Sequence, residues 1–118
     1  DDAYNSNPQG AAVALETLAG FPAGGRIVIT PGLVELGERE HQLNFELGRQ
    51  AAACCDYAIL IGQRQAPPIR EGLLDAGFPE SRIAVFDDVQ DGLSHAASLP
   101  GGSERTVLLL NDLPDSYR

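Results

Sequence analysis

Gly25-Arg26-Ile27-Val28-Ile29-Thr30-Pro31 holds four β-branched residues in a row between two chain breakers. A strand with one wet face would alternate apolar and polar side chains. This one does not alternate, so both of its faces need cover, as in a parallel sheet. Pro31 ends it, because proline has no N–H to give to a ladder. Three later runs have the same character: Tyr57-Ala58-Ile59-Leu60-Ile61, Arg82-Ile83-Ala84-Val85-Phe86 and Thr106-Val107-Leu108-Leu109-Leu110.

Helical spacing fills the intervals. Pro8 to Ala19 carries Ala11, Ala12, Leu15, Leu18 and Ala19 on one face, and Gly20 stops it. The longest helix starts near Glu38 with the stripe Leu43, Leu47, Ala51, Cys54, flanked by Phe45 and Ala52, and closes at Asp56. A third begins at Pro67 or Pro68 and runs through Leu73 and Leu74 to Gly77. A fourth has Asp87 as N-cap, Gln90 in the capping-box position and Val89, Leu93, Ala97 as its stripe. Leu99 to Ser103 reads as a Pro-Gly-Gly turn.

Helix and strand thus alternate four times. That order predicts an α/β fold: a three-layer, doubly wound, mainly parallel, Rossmann-like sheet with helices on both faces, in one domain over residues 1–118. Right-handed crossovers place every strand-to-helix loop on one edge, where ligands of open α/β sheets bind. The expected rim is Tyr4–Asn7 (if a strand precedes residue 1), Pro31–Gly37, Gly62–Pro67, Asp87–Asp88 and Asn111–Pro114.

Composition removes several function classes. With 43% hydrophobic and 21% charged residues in 118, the chain can bury a core and is not a disordered tail. The formal charge of -9 opposes a nucleic-acid or anionic-membrane surface. All eight basic residues are arginine, so there is no P-loop lysine, Schiff-base amine or lysine carbamate in this chain. Methionine is also absent, and the chain opens inside a motif, so it reads as a fragment of something longer. Adjacent Cys54 and Cys55 pair badly as a disulfide and have no cluster of metal ligands around them. Reduced thiols without a signal sequence point to the cytoplasm, and no apolar run approaches the roughly 20 residues of a membrane span.

Candidate site residues lie at the loops. Asp1-Asp2-Ala3-Tyr4-Asn5-Ser6-Asn7-Pro8 sets two carboxylates, a phenol and two amides before a helix. Asn7 reads as its N-cap and Pro8 as its first residue, so polar groups gather where the macrodipole favours an anion. Glu35 and His41 are six residues apart and make an acid–base pair only if the loop folds back; a solvated glutamate and a surface histidine are the plainer outcome. Asp87-Asp88 is explained by capping and exposure, and His95 by its place late in a helix. No dinucleotide fingerprint, nucleophile elbow or metal-ligand pattern is present, so no catalytic residue and no metal ligand is assigned.

The same loops carry a resemblance. Asp1-Asp2-x-Tyr4-Asn5-x-Asn7-Pro8, then Gly32-x-x-Glu35-Leu36-Gly37 after a strand, with Glu40-His41 nearby, resembles the C-terminal domain of Mur ligases. Gly48-Arg49-x-Ala51-Ala52, Asp56 before Tyr57–Ile61, and Gly62 extend the match over nearly the whole chain. It is most similar to the type that adds D-alanyl-D-alanine to a UDP-linked muramoyl tripeptide. The resemblance implies the last domain of a three-domain, ATP- and magnesium-dependent amide ligase of peptidoglycan synthesis, working through an acyl phosphate. Such a domain is inactive alone and closes over ATP while presenting an amino acid or dipeptide. Its own N-terminal and central domains and a UDP-linked muramoyl peptide are then the partners. Asp2, Asn5 and Asn7 would lie on the nucleotide side; Glu35, His41, Gly62, Asn111 and Asp112 would belong to substrate-side loops. After the last strand the family usually has Lys-Gly-Ser-Arg, whereas this chain has Asn111-Asp112-Leu113-Pro114. A loop without positive charge repels a carboxylate, which implies an amine substrate other than D-alanyl-D-alanine. The competing reading is a non-catalytic binding or signalling module of flavodoxin- or receiver-like fold. A receiver needs an aspartate where Gly62 stands and a lysine where Asn111 stands.

Overall fold

In the computed structural model, residues 8–34 and 37–110 are described. The four apolar runs pair into one all-parallel sheet. β1 (Arg26–Thr30) lies between β2 (Tyr57–Ile61) and β4 (Thr106–Leu109), and β3 (Ile83–Phe86) flanks β2, giving the order β3-β2-β1-β4. Ile29 stands level with Ile59 on one side and Leu109 on the other. Burial explains the unbroken run in β1: Ile27 and Ile29 are 0% exposed on one face and Val28 is 1% exposed on the other.

Helices make the outer layers. α1 (Pro8–Ala19), α2 (Glu40–Ala52) and α3 (Ala66–Asp75) cover one face, where Leu15, Leu18, Leu47, Ile69 and Leu73 meet Val28, Ala58 and Leu60. α4 (Val89–Ser98) covers the other, over Ile27, Ile29 and Ile59. The three-layer, doubly wound prediction holds. Its second face is thinly covered: α4 packs on β1, β2 and β3, leaving Val107 and Leu109 of β4 43% and 44% exposed.

Three local expectations need correction. Of the expected α4 stripe Val89, Leu93, Ala97, Val89 packs on the sheet, but Leu93 and Ala97 are exposed and Gly92 and Ala96 are buried instead. α4 lies so close to the sheet that a Cβ on Gly92 would meet Ile61 Cδ1 at 2.9 Å and Ile59 Cγ2 at 3.1 Å. A glycine at the centre of a contact is invisible to a search for apolar side chains. The cap of α4 is Asp88, not Asp87: its backbone is extended and its carboxylate accepts from the Gln90 N–H at 2.6 Å. Asp56 does not close α2, which ends at Ala52. It binds the start of β1 instead.

On α2 the buried face is centred on Asn44, Leu47, Gly48 and Ala51, with Leu43 and Phe45 at its margins. α2 and α3 cross at Gly48 and Gly72. A Cβ on Gly48 would lie 2.1 Å from the Ile69 carbonyl oxygen, and one on Gly72 1.9 Å from that of Phe45. The close crossing draws α2 and α3 together over the loops that follow β1 and β2.

Candidate functional site

With all strands parallel, the loops after β1, β2 and β3 leave the sheet from the same edge. From β1 the chain moves to β2 and β3; β4 then returns to the other side of β1. The winding therefore reverses between β1 and β4, and the carboxyl ends of these two strands form the switch-point crevice that binds ligands in open α/β sheets. One wall of it is the loop that leaves Thr30. α1 reaches the same edge: Pro8 lines a small crevice with Leu33, Leu43 and Leu47.

Buried hydrogen bonds shape the loop after β1. Thr30 Oγ1 accepts from the Gly32 N–H at 2.9 Å, and Gly32 has φ +88°, a left-handed turn that glycine makes without strain. The Asn44 side chain, 0% exposed, treats Leu33 as a strand would: its Oδ1 accepts from the Leu33 N–H at 2.7 Å and its Nδ2 donates to the Leu33 carbonyl at 2.8 Å. Nδ2 also donates to the Glu40 carbonyl at 2.9 Å and to Gln65 Oε1 at 3.1 Å. Gln65 directly precedes α3 without a side-chain capping bond and is 4% exposed, and its Nε2 is the buried side-chain donor without a partner among the described residues.

The loop after β2 is tied on both sides. Gly62 has φ +89°, and its N–H continues the ladder to the Phe86 carbonyl at 2.7 Å. Gln63 Nε2 donates to Asp87 Oδ1 at 2.9 Å, linking this loop to the one after β3, and Arg64 pairs with Glu40 at 2.9 Å. Pro67 and Pro68 occupy the first turn of α3 and contribute no N–H groups, so that helix start is a poor anion cradle.

Of the sequence candidates, His41 and Gly62 lie within the described residues; Asp2, Asn5, Asn7, Glu35, Asn111 and Asp112 lie outside them. His41 is exposed, and its Nε2 stands 3.7 Å from Glu71 Oε1 on α3. Asn44 and Gln65 did not figure among the candidates. The available signal was an amide next to Leu43 in the apolar stripe of a helix, where a polar residue has to find buried partners.

The perturbed ionisable groups lie at the opposite edge. The Arg26 guanidinium and two backbone N–H groups hold the Asp56 carboxyl down to about 2, against the drag of its own burial. Burial pushes the Cys55 thiol up to about 12 and raises that of Cys54, so neither is an activated nucleophile. Among the described residues no three His, Cys, Asp or Glu side chains gather as a metal site, and no helix is long and apolar enough to cross a membrane. A groove of roughly 400 Å³ lined by Gln63, Ala66, Pro67, Arg70, Glu71 and Val85 runs along β3, away from the β1–β4 crevice.

Residues 2–110 match the family described as "Mur ligase, glutamate ligase domain". The chain belongs to the Mur ligase family, whose members are ATP-dependent ligases of peptidoglycan synthesis. No curated protein matches it.

Proposed function

We propose that this Mur ligase domain is the C-terminal, clamping domain of a three-domain amide ligase, spanning residues 1–118. The observation that carries the reading is the family match over residues 2–110, which runs through every strand of the sheet. The loops that would face the reaction centre then leave the sheet at the β1–β4 crevice.

In this reading Asp2, Asn5 and Asn7, ahead of α1, contact the ribose and adenine side of ATP. The loops bearing Glu35, His41, Gly62, Asn111 and Asp112 border the amine. The chain has no lysine for the phosphates, and in this reading the central domain supplies that lysine and most of the magnesium site. ATP with magnesium supplies the activation of the acceptor carboxylate. This domain's share is positioning: its closure brings the amine to the activated carboxyl and keeps water from it. A domain with that role is inactive alone.

The first motif resembles that of the D-alanyl-D-alanine-adding type. Asn111-Asp112-Leu113-Pro114, with no cation for a substrate carboxylate, favours a different small amino acid or dipeptide as the amine. The test is ATP-dependent amide formation by the full-length enzyme, with UDP-linked muramoyl peptides and a panel of amines that includes D-alanyl-D-alanine and glutamate. ADP release that depends on both acceptor and amine is expected. Amine-independent ATP turnover, or none with any acceptor, refutes the ligase reading; D-alanyl-D-alanine as the best amine refutes only the substrate argument.

A further inference from the structure

We propose that the Asn44–Gln65 hydrogen bond is a latch that locks the rim loop after β1 to the rim loop after β2, so that both meet the amine as one unit. The proposal rests on the ligase reading above; neither residue touches substrate in it, and both are positioning residues.

Asn44 is wholly enclosed in a helix face otherwise made of Leu47, Gly48 and Ala51. A leucine there would pack without any polar group to satisfy, so the amide's place is explained by what it binds. It binds both loops. On one side the Leu33 N–H donates to Asn44 Oδ1 at 2.7 Å and its carbonyl accepts from Nδ2 at 2.8 Å; on the other Gln65 Oε1 accepts at 3.1 Å. The loops also touch: a Cβ on Gly32 would stand 2.6 Å from Gln65 Cβ. Among the described residues, Arg64–Glu40 also ties the start of α2 to the loop after β2, and Gln63–Asp87 ties that loop to the one after β3; Arg64, Gln63 and Asp87 are exposed, so water competes for these bonds.

Gln65 separates coupling from stability. Among the described residues its Oε1 makes one hydrogen bond and its buried Nε2 makes none, so the residue carries an uncompensated desolvation of one donor. Asn44 Nδ2 has two protons and three acceptors, so it stays satisfied by the Leu33 and Glu40 carbonyls when Gln65 is replaced. Gln65→Met keeps the length of the side chain, removes the idle donor and breaks only the tie between loops.

The experiment compares wild-type and Gln65→Met full-length ligase. The latch predicts an unchanged or higher melting temperature, an unchanged KM for ATP, and a KM for the amine raised about tenfold, the effect of one neutral hydrogen bond lost from positioning. It also predicts faster hydrogen exchange in the peptide covering Thr30 to Leu33. A lower melting temperature with lower kcat and unchanged KM values makes Gln65 merely structural and overturns the proposal; so does an amine KM equal to wild type. Where the wild type forms no amide at all, the ligase reading fails, and the exchange measurement still decides the latch: a rate equal to wild type overturns it.

Discussion

Replacing Asp56 with asparagine tests the reading that the amino-terminal edge of the sheet is held by charge. Asp56 Oδ2 accepts from the Gly24 N–H at 2.7 Å, the Arg26 N–H at 2.9 Å and Arg26 Nε at 3.0 Å, while Oδ1 accepts from Arg26 Nη2 at 3.2 Å. The two side chains are 13% and 17% exposed, so water competes weakly. A carboxyl that titrates at 3.8 when free and at about 2 when folded stabilises the fold by about 2 kcal/mol at neutral pH. Asparagine keeps one acceptor and strands part of the Arg26 fork, which raises the expected loss to about 2–4 kcal/mol. In a domain of this size that is roughly 8–16 °C of melting temperature. The pH dependence has a definite sign. Because folding depresses this pKa, its contribution is complete above about pH 5 and disappears as pH falls toward 2. Urea denaturation followed by circular dichroism at pH 7, 5 and 3 should find Asp56→Asn weaker than wild type at pH 7 and 5, with the gap narrowed by roughly 1 kcal/mol at pH 3. A variant within about 0.5 kcal/mol of wild type at pH 7, or a gap of constant size at all three values, refutes the clamp.

Gly48→Ala should be among the most damaging single-methyl additions, because the new Cβ meets a backbone carbonyl oxygen at 2.1 Å and neither α2 nor α3 can move without lifting off Val28 and Leu60. A loss above about 3 kcal/mol in urea titration is expected, and a wild-type midpoint would show that the two helices cross farther apart. Asn5→Ala in the full-length ligase should raise the KM for ATP and leave the melting temperature alone; unchanged ATP kinetics would remove Asn5 from the nucleotide side.

Strand positions were legible because a buried parallel strand is apolar at every residue, and Arg26–Thr30 and Tyr57–Ile61 begin and end where the sequence says. The parallel sheet and the shared edge of the loops after β1, β2 and β3 followed from the repeat of helix and strand plus the handedness of crossovers, whereas the order β3-β2-β1-β4 did not, because the repeat does not say on which side of β1 the last strand returns. Helix faces were read less well, for one physical reason. Where α4 approaches β1 and β2, and where α2 meets α3, the contact is made by Gly92, Gly48 and Gly72, residues with no apolar side chain to count. Asn44 was hidden by the opposite effect: a polar residue reads as exposed until its partners, Leu33 and Gln65, are brought to it by the tertiary fold. Asp56 was read as a helix stop since its partner, Arg26, is 30 positions away in the chain.

The two edges of the sheet are held by different chemistry, and the difference suits a clamp. At the amino-terminal edge the ties are charged or run along the backbone: Arg26 to Asp56, the Asp56 N–H to the Arg26 carbonyl, and the Thr106 N–H to the Gly25 carbonyl join the starts of β1, β2 and β4. At the rim the buried ties are neutral amides and a hydroxyl, from Asn44, Gln65 and Thr30. A strand of five residues separates the edges by roughly 17 Å. The Arg26–Asp56 pair is two opposite charges whose fields largely cancel at that distance, so it stabilises the sheet without setting a net charge at the crevice that, in the ligase reading, receives a nucleotide. Neutral ties fix the loops there as one unit without adding charge to the crevice.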